Sequence, residues 1–553
     1  MAPLCALLVL LGCLASANGN PGIIVRMNQS FFDFMLKEKL EPLLKKDILS
    51  YKIPAVKYHI SGINIDMDLS SLVISNIAFS PAILTPSSAT SSLEATMGVH
   101  MGGDGVWETR TGWWPHIKEH GTVSFNFSPL LVVVGISMSP GSDGIWKFQI
   151  TRLTVNSKFD IKFHGGVLSG LDIGALKDYI NKKAGETVTN TIKTAVAGAL
   201  AKLTPYMKQY LPYITIPGCV QRGLPPPCKN FALNVSLTSS GVWRDHCFAE
   251  MQFDGFFIYK GKPYVPISSR DLPAIPSPCG DRSLSLLISE ASFTSAVDAI
   301  FASGLIHMNV PSAKTAGDKV FNKLIPGLHQ SFGNLSLYFN TSLISAAFHL
   351  EQDKAVSNFA IAFQILALTS VAGAYPKTFK EVLTIRVNFT VGMTAHIAPT
   401  QTQAGVLSLV YLKFLDTEVN NVTVIRAALT ADDTVVQKWM QQLMTEGFNN
   451  AAELLSKGIL AIPPAIGGIG IYQPELKIGD HHLKLALNVG KPPAVNMSAE
   501  ELVFGELPTH HQTKSHNSLP EYLEYATSTI SNMLVESQDM IMNIFTKSFS
   551  DLL

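Results

Sequence analysis

Between Leu171 and Leu211 the apolar residues Leu176, Ile180, Val188, Ile192, Ala195, Val196, Ala199, Leu203, Tyr206, Met207 and Tyr210 fall on one helical stripe. At about 1.5 Å per residue, a helix of roughly forty residues would run on the order of 60 Å. A rod of that length does not fit inside a compact globule. It predicts an elongated domain in which sheet and helix lie side by side, with Gly185 and Pro205 as the points where the helix bends.

The sheet is announced by alternation. Ile63, Ile65, Met67 and Leu69 are separated by Asn64, Asp66 and Asp68, and Phe159, Ile161 and Phe163 by Asp160 and Lys162, so one face meets a core and the other meets water. The turn-forming runs 102–105 and 140–144 between them predict an antiparallel sheet. Three-and-four spacing predicts further helices over 27–44, 292–303 and 434–457, and closing strands follow near 469–472 and 483–489. The uncharged run 356–376 has Phe359, Ile361, Phe363 and Ile365 alternating with small residues, which predicts a buried strand and not a membrane span. The fold class is therefore α+β, with a weak duplication of element order between the halves.

Leu4 to Leu14 is a short apolar run, and Ala17-Asn18-Gly19 places small residues at a cleavage site. That pattern predicts a removable leader, residues 1–19, and a secreted, extracellular protein. About eleven apolar residues fall short of the roughly 20 needed to span a bilayer. Hydrophobic residues make up 47% of the chain against 15% charged, enough for large cores and an additional apolar surface. The 42 basic and 42 acidic residues cancel, which removes the case for a nucleic acid partner.

Cys219, Cys228, Cys247 and Cys279 remain after the leader and predict two disulfides in an oxidising compartment. Three pairings are open, and Cys219–Cys228 with Cys247–Cys279 is favoured because the first pair flanks a short Pro-rich loop. Neither pair has the spacing of a zinc knuckle. Asn28, Asn126, Asn234, Asn334, Asn340, Asn388, Asn421 and Asn496 each begin a glycosylation sequon.

The junction Asn20-Pro21-Gly22-Ile23-Ile24-Val25-Arg26, the Pro-rich midpoint, the pattern Ile288-Ser289-Glu290 … Phe293 … Gly304-Leu305 and the closing strands around Ile469-Gly470-Ile471-Tyr472 and 483–489 together resemble one family. It contains bactericidal/permeability-increasing protein, lipopolysaccharide-binding protein, phospholipid transfer protein and cholesteryl ester transfer protein. The resemblance implies a boomerang-shaped pair of barrels, each a strongly twisted antiparallel sheet packed on a long helix, joined by a central sheet. It divides the chain into a leader (1–19), an N-terminal lipid-binding barrel (20–216), a Pro/Cys-rich central linker and sheet (217–285), a C-terminal lipid-binding barrel (286–500), and a polar tether with an amphipathic helix (501–553). The family's usual disulfide would fall near Val155 and 186–188, where this chain has no cysteine.

The function implied is carriage or transfer of phospholipids or other acyl lipids between membranes or lipoprotein particles, without catalysis. Lipopolysaccharide binding in innate immunity is the alternative. Candidate pocket-lining residues are Ile23, Val25, Leu176, Ile180, Val188, Ile192, Val196, Ala199 and Leu203. Arg110, Trp113, Trp114 and Lys118 form a candidate membrane-contact loop, since indole rings beside basic residues suit a bilayer interface. Glu108 and Glu119 oppose those cations, which weakens the endotoxin reading. No Gly-x-Ser-x-Gly, His-Glu-x-x-His or phosphate-binding glycine motif is present, and neither a cofactor nor a metal is expected.

Overall fold

The computed structural model describes residues 21–42, 55–60, 64–112, 118–141, 146–165, 213–215, 231–259, 282–302, 307–309, 325–332, 337–369, 378–402, 405–429, 433–455, 460–462, 465–466 and 469–491, with isolated positions between them. The leader, the 501–553 tail, Trp113, Trp114, Leu176, Ile180, Val188, Ile192, Val196, Ala199, Leu203, Cys219, Cys228, Cys279, Asn334 and Asn496 lie outside the described residues.

Strands dominate what is described, and every strand pairing is antiparallel. The sheets hold five strands from the first half, six from the second, seven in a central sheet and three beside it. Helices are fewer: α1 (Gln29–Met35), continued by a wider turn over Leu36–Leu40, then α2 (Glu290–Ala302), α3 (Leu328–Phe332) and α4 (Asp433–Leu455). The α2 and α4 bounds match the periodicity within two residues. The first helix starts later than its apolar spacing suggests, because Met27 and Asn28 are claimed by the strand Ile23–Asn28.

That strand explains the central sheet. All six of its residues are buried, and it is hydrogen-bonded on both sides, to Phe248–Phe253 and to Leu284–Ser289. A fully buried strand favours a continuous apolar run, here interrupted only by Arg26 and Asn28. Arg26 Nε and Nη2 donate to Glu250 Oε2 at 3.1 and 2.8 Å, and its guanidinium lies 4.0 Å over the Phe248 ring. The charge is paired and stacked across the sheet.

The five-stranded sheet is built from Val56–Ile60, Ile65–Ser87, Ser92–Thr111, Lys118–Pro140 and Trp146–His164. Its second strand sends Met67, Leu69, Leu72, Ile74, Ile77, Phe79, Ala82 and Leu84 toward the core, in a spacing of two, three, two, three. Each step of three coincides with a register shift, at Ser70/Val73, Ile74/Asn76 and Phe79/Ala82. A bulge adds one residue and bends the strand, so three in one strand curl the sheet while keeping one face apolar.

The six-stranded sheet repeats the device. Opposite Phe379–Thr402, the strand Gly405–Ala427 skips Leu415, Asn420 and Ile425 at its three shifts. Phe414, Val419, Val422 and Val424 face the core. Leu415 and Ile425 are 49% and 50% exposed, since a bulged residue is turned out of the ladder. Of the uncharged run 356–376, the part up to Leu368 belongs to the strand Lys354–Leu368, whose Ile361, Phe363 and Ile365 are buried in one cluster with Trp439 of α4, and 370–377 lie outside the described residues. Among the described residues no helix is long and apolar enough to cross a membrane, and neither curled sheet closes on itself into a barrel.

Candidate functional site

The central sheet carries a duplicated joint. Ile23 stands opposite Ile288, and each of these adjacent antiparallel strands leads directly into a helix, α1 from Gln29 and α2 from Glu290. Outside each lies a hairpin whose turn opens with an Asp-His pair: Asp245-His246, followed by Cys247, before Phe248–Phe253, and Asp480-His481 before His482–Gly490. Both histidines have positive φ, 52° and 64°. The backbone N–H of Gln29 donates to Cys247 O at 2.9 Å, and that of Glu290 to His481 O at 3.2 Å.

Each first helical side chain then clamps the curled sheet of its own half. Gln29 Nε2 donates to Leu84 O at 2.8 Å, Thr85 Oγ1 donates to Gln29 Oε1 at 3.0 Å, and His246 Nδ1 lies 3.2 Å from Thr85 Oγ1. Asp245 accepts from the backbone N–H and hydroxyl of Ser88 at 2.7 and 2.6 Å, which hold its carboxyl below the usual range. In the second half, Glu290 Oε2 accepts from Leu350 N at 3.1 Å and from His481 Nδ1 at 3.2 Å. His481 N donates to Leu350 O at 2.7 Å and Asp353 N to Ile478 O at 3.0 Å. The periodicity of the chain gives no hint of this arrangement; the repeated Asp-His dipeptide is the signal that would have found it.

Ile23 and Val25 sit in this joint. They are buried with Met27, Phe31, Phe32, Met35, Leu84, Met138 and Phe253 in one core cluster. Of the 171–211 stretch, Lys182, Glu186, Asn190 and Thr194 are described: all four are helical and exposed, and their spacing of four puts them on one face of the helix.

The apolar inner face of the five-stranded sheet is continuous. Met67, Leu69, Leu72, Ile74, Ile77, Val99, Met101, Trp107, Val123, Phe125, Leu130, Val132, Val134 and Ile161 form one cluster. Its lower end is charged but internally balanced. Arg110 and Lys118 are cross-strand partners at the end of the strand pair Ser92–Thr111 and Lys118–Pro140, and both reach Glu108, at 2.9 and 3.9 Å. Lys57 pairs with Asp68 at 3.4 Å and His59 with Asp66 at 2.7 Å. The hydrogen bond and charge of Arg110 hold the Glu108 carboxyl below its ordinary range.

Behind the central sheet, Ser289, Ser292, Ser295 and Asp298 make a buried polar row at the start of α2 and along it. Ser292 Oγ donates to Gly22 O at 3.0 Å, and Phe257 N donates to Ser295 Oγ at 2.9 Å. Burial raises the Asp298 carboxyl, and pushes Asp254 up to about 7 while Asn234 Nδ2 donates to it at 2.7 Å. Cys247 is disulfide-bonded, with its partner outside the described residues. Among the described residues no three His, Cys, Asp or Glu side chains gather as a metal site.

The sequons divide by environment. Asn28 is 4% exposed and its amide donates to Arg282 O; Asn234 donates to Asp254, and Asn340 Nδ2 donates to Gln364 Oε1 at 2.8 Å. Asn126 and Asn421 are exposed, and Asn388 is half-buried.

No family model and no curated protein matches this chain. Among solved structures, lipopolysaccharide binding protein is similar with a TM-score of 0.44 and 14% identity, over 85% of this chain and 99% of that one. Takeout 1 of Epiphyas postvittana is similar at a TM-score of 0.16 and 12% identity, over 29% of this chain and 77% of its own. Both scores lie below 0.5, and the functional reading rests on the chain itself.

Proposed function

We propose that this chain is a secreted lipid-binding protein that carries or transfers phospholipids between membranes or lipid particles, held in the curled apolar interiors of its two halves. The two halves then act as the arms of a boomerang, each a barrel completed by a long helix, with the central sheet as the bridge. The carrying observation is the predominantly apolar inner face of the five-stranded sheet. Strands of 19 to 23 residues extend on the order of 60–75 Å, several times the length of an acyl chain. Burying one methylene is worth about 0.8 kcal/mol, so a sixteen-carbon chain gains on the order of 13 kcal/mol in a dry groove, about what it loses on leaving a bilayer. Extraction is then nearly neutral, and no reaction chemistry is required.

The opposition of Arg110 and Lys118 by Glu108 and Glu119 favours zwitterionic lipid over endotoxin. A polyanionic ligand needs uncompensated cations, and its binding would collapse with salt.

Native mass spectrometry of the purified chain and transfer between labelled vesicles test the reading. Co-purified phospholipid and transfer that persists in high salt are expected. No bound lipid together with no transfer would overturn it, and salt-sensitive binding only to endotoxin-bearing membranes would favour the second reading.

A further inference from the structure

The eight sequons are equivalent as sequence and unequal as structure. N-linked glycan is attached through the asparagine Nδ2, so a modified asparagine needs that nitrogen in water. Asn28, Asn234 and Asn340 each spend Nδ2 on an internal hydrogen bond, to Arg282 O, Asp254 and Gln364 respectively. A glycan on the buried Asn28 would have to displace the carbonyl of Arg282, and one on the half-buried Asn234 or Asn340 would compete with the side chain of Asp254 or Gln364 for the space beside the nitrogen.

Three others share a different setting. Asn126 is exposed on the outer face of the five-stranded sheet, with Gly102 and Asp160 as its cross-strand neighbours and the small amide of Asn76 over Gly102. Asn388 and Asn421 stand directly opposite one another across adjacent strands of the six-stranded sheet. Their inward neighbours Val387 and Val422 are buried, which turns both asparagines to the outer face. Arg386 Nε donates to Asn388 Oδ1 at 3.2 Å, leaving the nitrogen side of that amide for attachment. The surroundings are small and polar: Ala360 beside Asn388, and Asn420 Nδ2 donating at 2.8 Å to Thr390 Oγ1, which donates at 2.8 Å to Asn358 Oδ1.

We propose that Asn126 and the cross-strand pair Asn388/Asn421 are the glycan-bearing positions of the described sheets, and that the pair carries one glycan per molecule, principally on Asn421. The two asparagines are one strand spacing apart, about 5 Å, which leaves no room for two branched trees. Asn421 takes precedence because it is exposed and lies in the outer of the two strands, whose far side is strand-paired over only Ser408–Val410 among the described residues. The outer faces of both curled sheets are thereby committed to water, and lipid contact is left to the inner faces and strand ends.

The inference rests on the secreted reading. The test is peptide mapping of the full chain, made with its own leader in a eukaryotic secretory host, after enzymatic glycan release in heavy-oxygen water, which marks each formerly occupied asparagine. Expected are occupancy at Asn126, none at Asn28, Asn234 or Asn340, and occupancies at Asn388 and Asn421 that sum to no more than one. In the Asn421→Gln variant, occupancy at Asn388 should roughly double or more as the competing tree is removed. A marked Asn28, Asn234 or Asn340, a bare Asn126, a sum above one, or no change at Asn388 in the variant overturns the proposal. Failure of the chain to reach the medium counts against secretion alone, and mapping the same chain routed by a heterologous leader then decides the glycan question.

Discussion

His481 Nδ1 lies 3.2 Å from Glu290 Oε2, so the turn of a central-sheet hairpin is tied to the first residue of α2, and the same carboxylate oxygen holds the backbone N–H of the buried Leu350. One side chain thus joins three elements that are far apart in sequence. Glu290→Ala leaves the Leu350 N–H without its acceptor and is expected to cost about 1–3 kcal/mol. Glu290→Gln keeps an oxygen there and should cost less than about 1 kcal/mol. Urea midpoints of the two variants decide the point, and equal losses would refute the role of Leu350.

Its counterpart Gln29 is neutral and works through partly exposed partners, so Gln29→Ala should lower the same midpoint by less than Glu290→Ala does. A larger loss at Gln29 would mean that the duplicated joint carries its load on the other side.

Arg26 and Glu250 are 5% and 7% exposed, and removing one leaves a buried charge without its partner. Arg26→Met alone should cost about 3–5 kcal/mol, while Arg26→Met with Glu250→Leu should recover most of that loss. The comparison is a double-variant cycle in denaturant; a double variant as unstable as the single would show that the ion pair itself, and not its completeness, holds the sheet.

Much of the fold was legible because helices and strands write their periods locally. The α2 and α4 helices and the strand Lys354–Leu368 could be read from spacing alone. Met27 and Asn28 could not, because Met27 continues the spacing of Phe31 and Met35 as well as any helical residue. What decides their state is a slot between Phe248–Phe253 and Leu284–Ser289, more than two hundred residues away in sequence. The strand Ile65–Ser87 was legible only as far as Leu69, since strict alternation ends at the first bulge. The pocket side was the least legible: Ile23 and Val25 lie in a buried strand whose neighbours, Phe253 and Ile288 among them, come from distant parts of the chain that local spacing does not announce.

Gly103 tests the bulged strand. A Cβ there would collide with the carbonyl of Val73, just past the first bulge, and with the ring of Phe125 in the apolar cluster. Gly103→Ala is expected to destabilise by about 1–3 kcal/mol, because neither backbone nor a buried ring yields easily. Thermal unfolding measures it, and an unchanged midpoint would mean that the strand can shift its register at no cost.

Asp254 gives the stability a pH slope. Its carboxyl keeps a proton in the folded chain up to about 7, against 3.8 ordinarily, so the folded state binds more protons across that window. Stability should therefore be highest near pH 4, fall as pH rises toward 7, and level off above it, by at most about 4 kcal/mol from this group. Asp254→Asn retains an acceptor for Asn234 and should flatten that part of the profile. Denaturation midpoints from pH 4 to 8 check it, and identical slopes in the two proteins would exclude Asp254 as the source.

The charged end of the five-stranded sheet yields the prediction closest to function. Arg110, Lys118 and Glu108 have side chains 61%, 65% and 44% exposed, so their ion pairs are hydrated and add little to stability. Because Glu108 and Glu119 together carry as much negative charge as Arg110 and Lys118 carry positive, the two cations add little net attraction toward an anionic surface. Replacing both cations by Ala should leave thermal stability nearly unchanged and phospholipid transfer between zwitterionic vesicles within about twofold, at low and high salt alike. Replacing Glu108 by Gln should instead create affinity for anionic vesicles, because it releases Arg110 and Lys118 from their shared partner. Vesicle co-sedimentation at two salt concentrations measures both variants. Loss of transfer in the double cation variant would show that this end engages lipid by charge, and would return the endotoxin reading to the front.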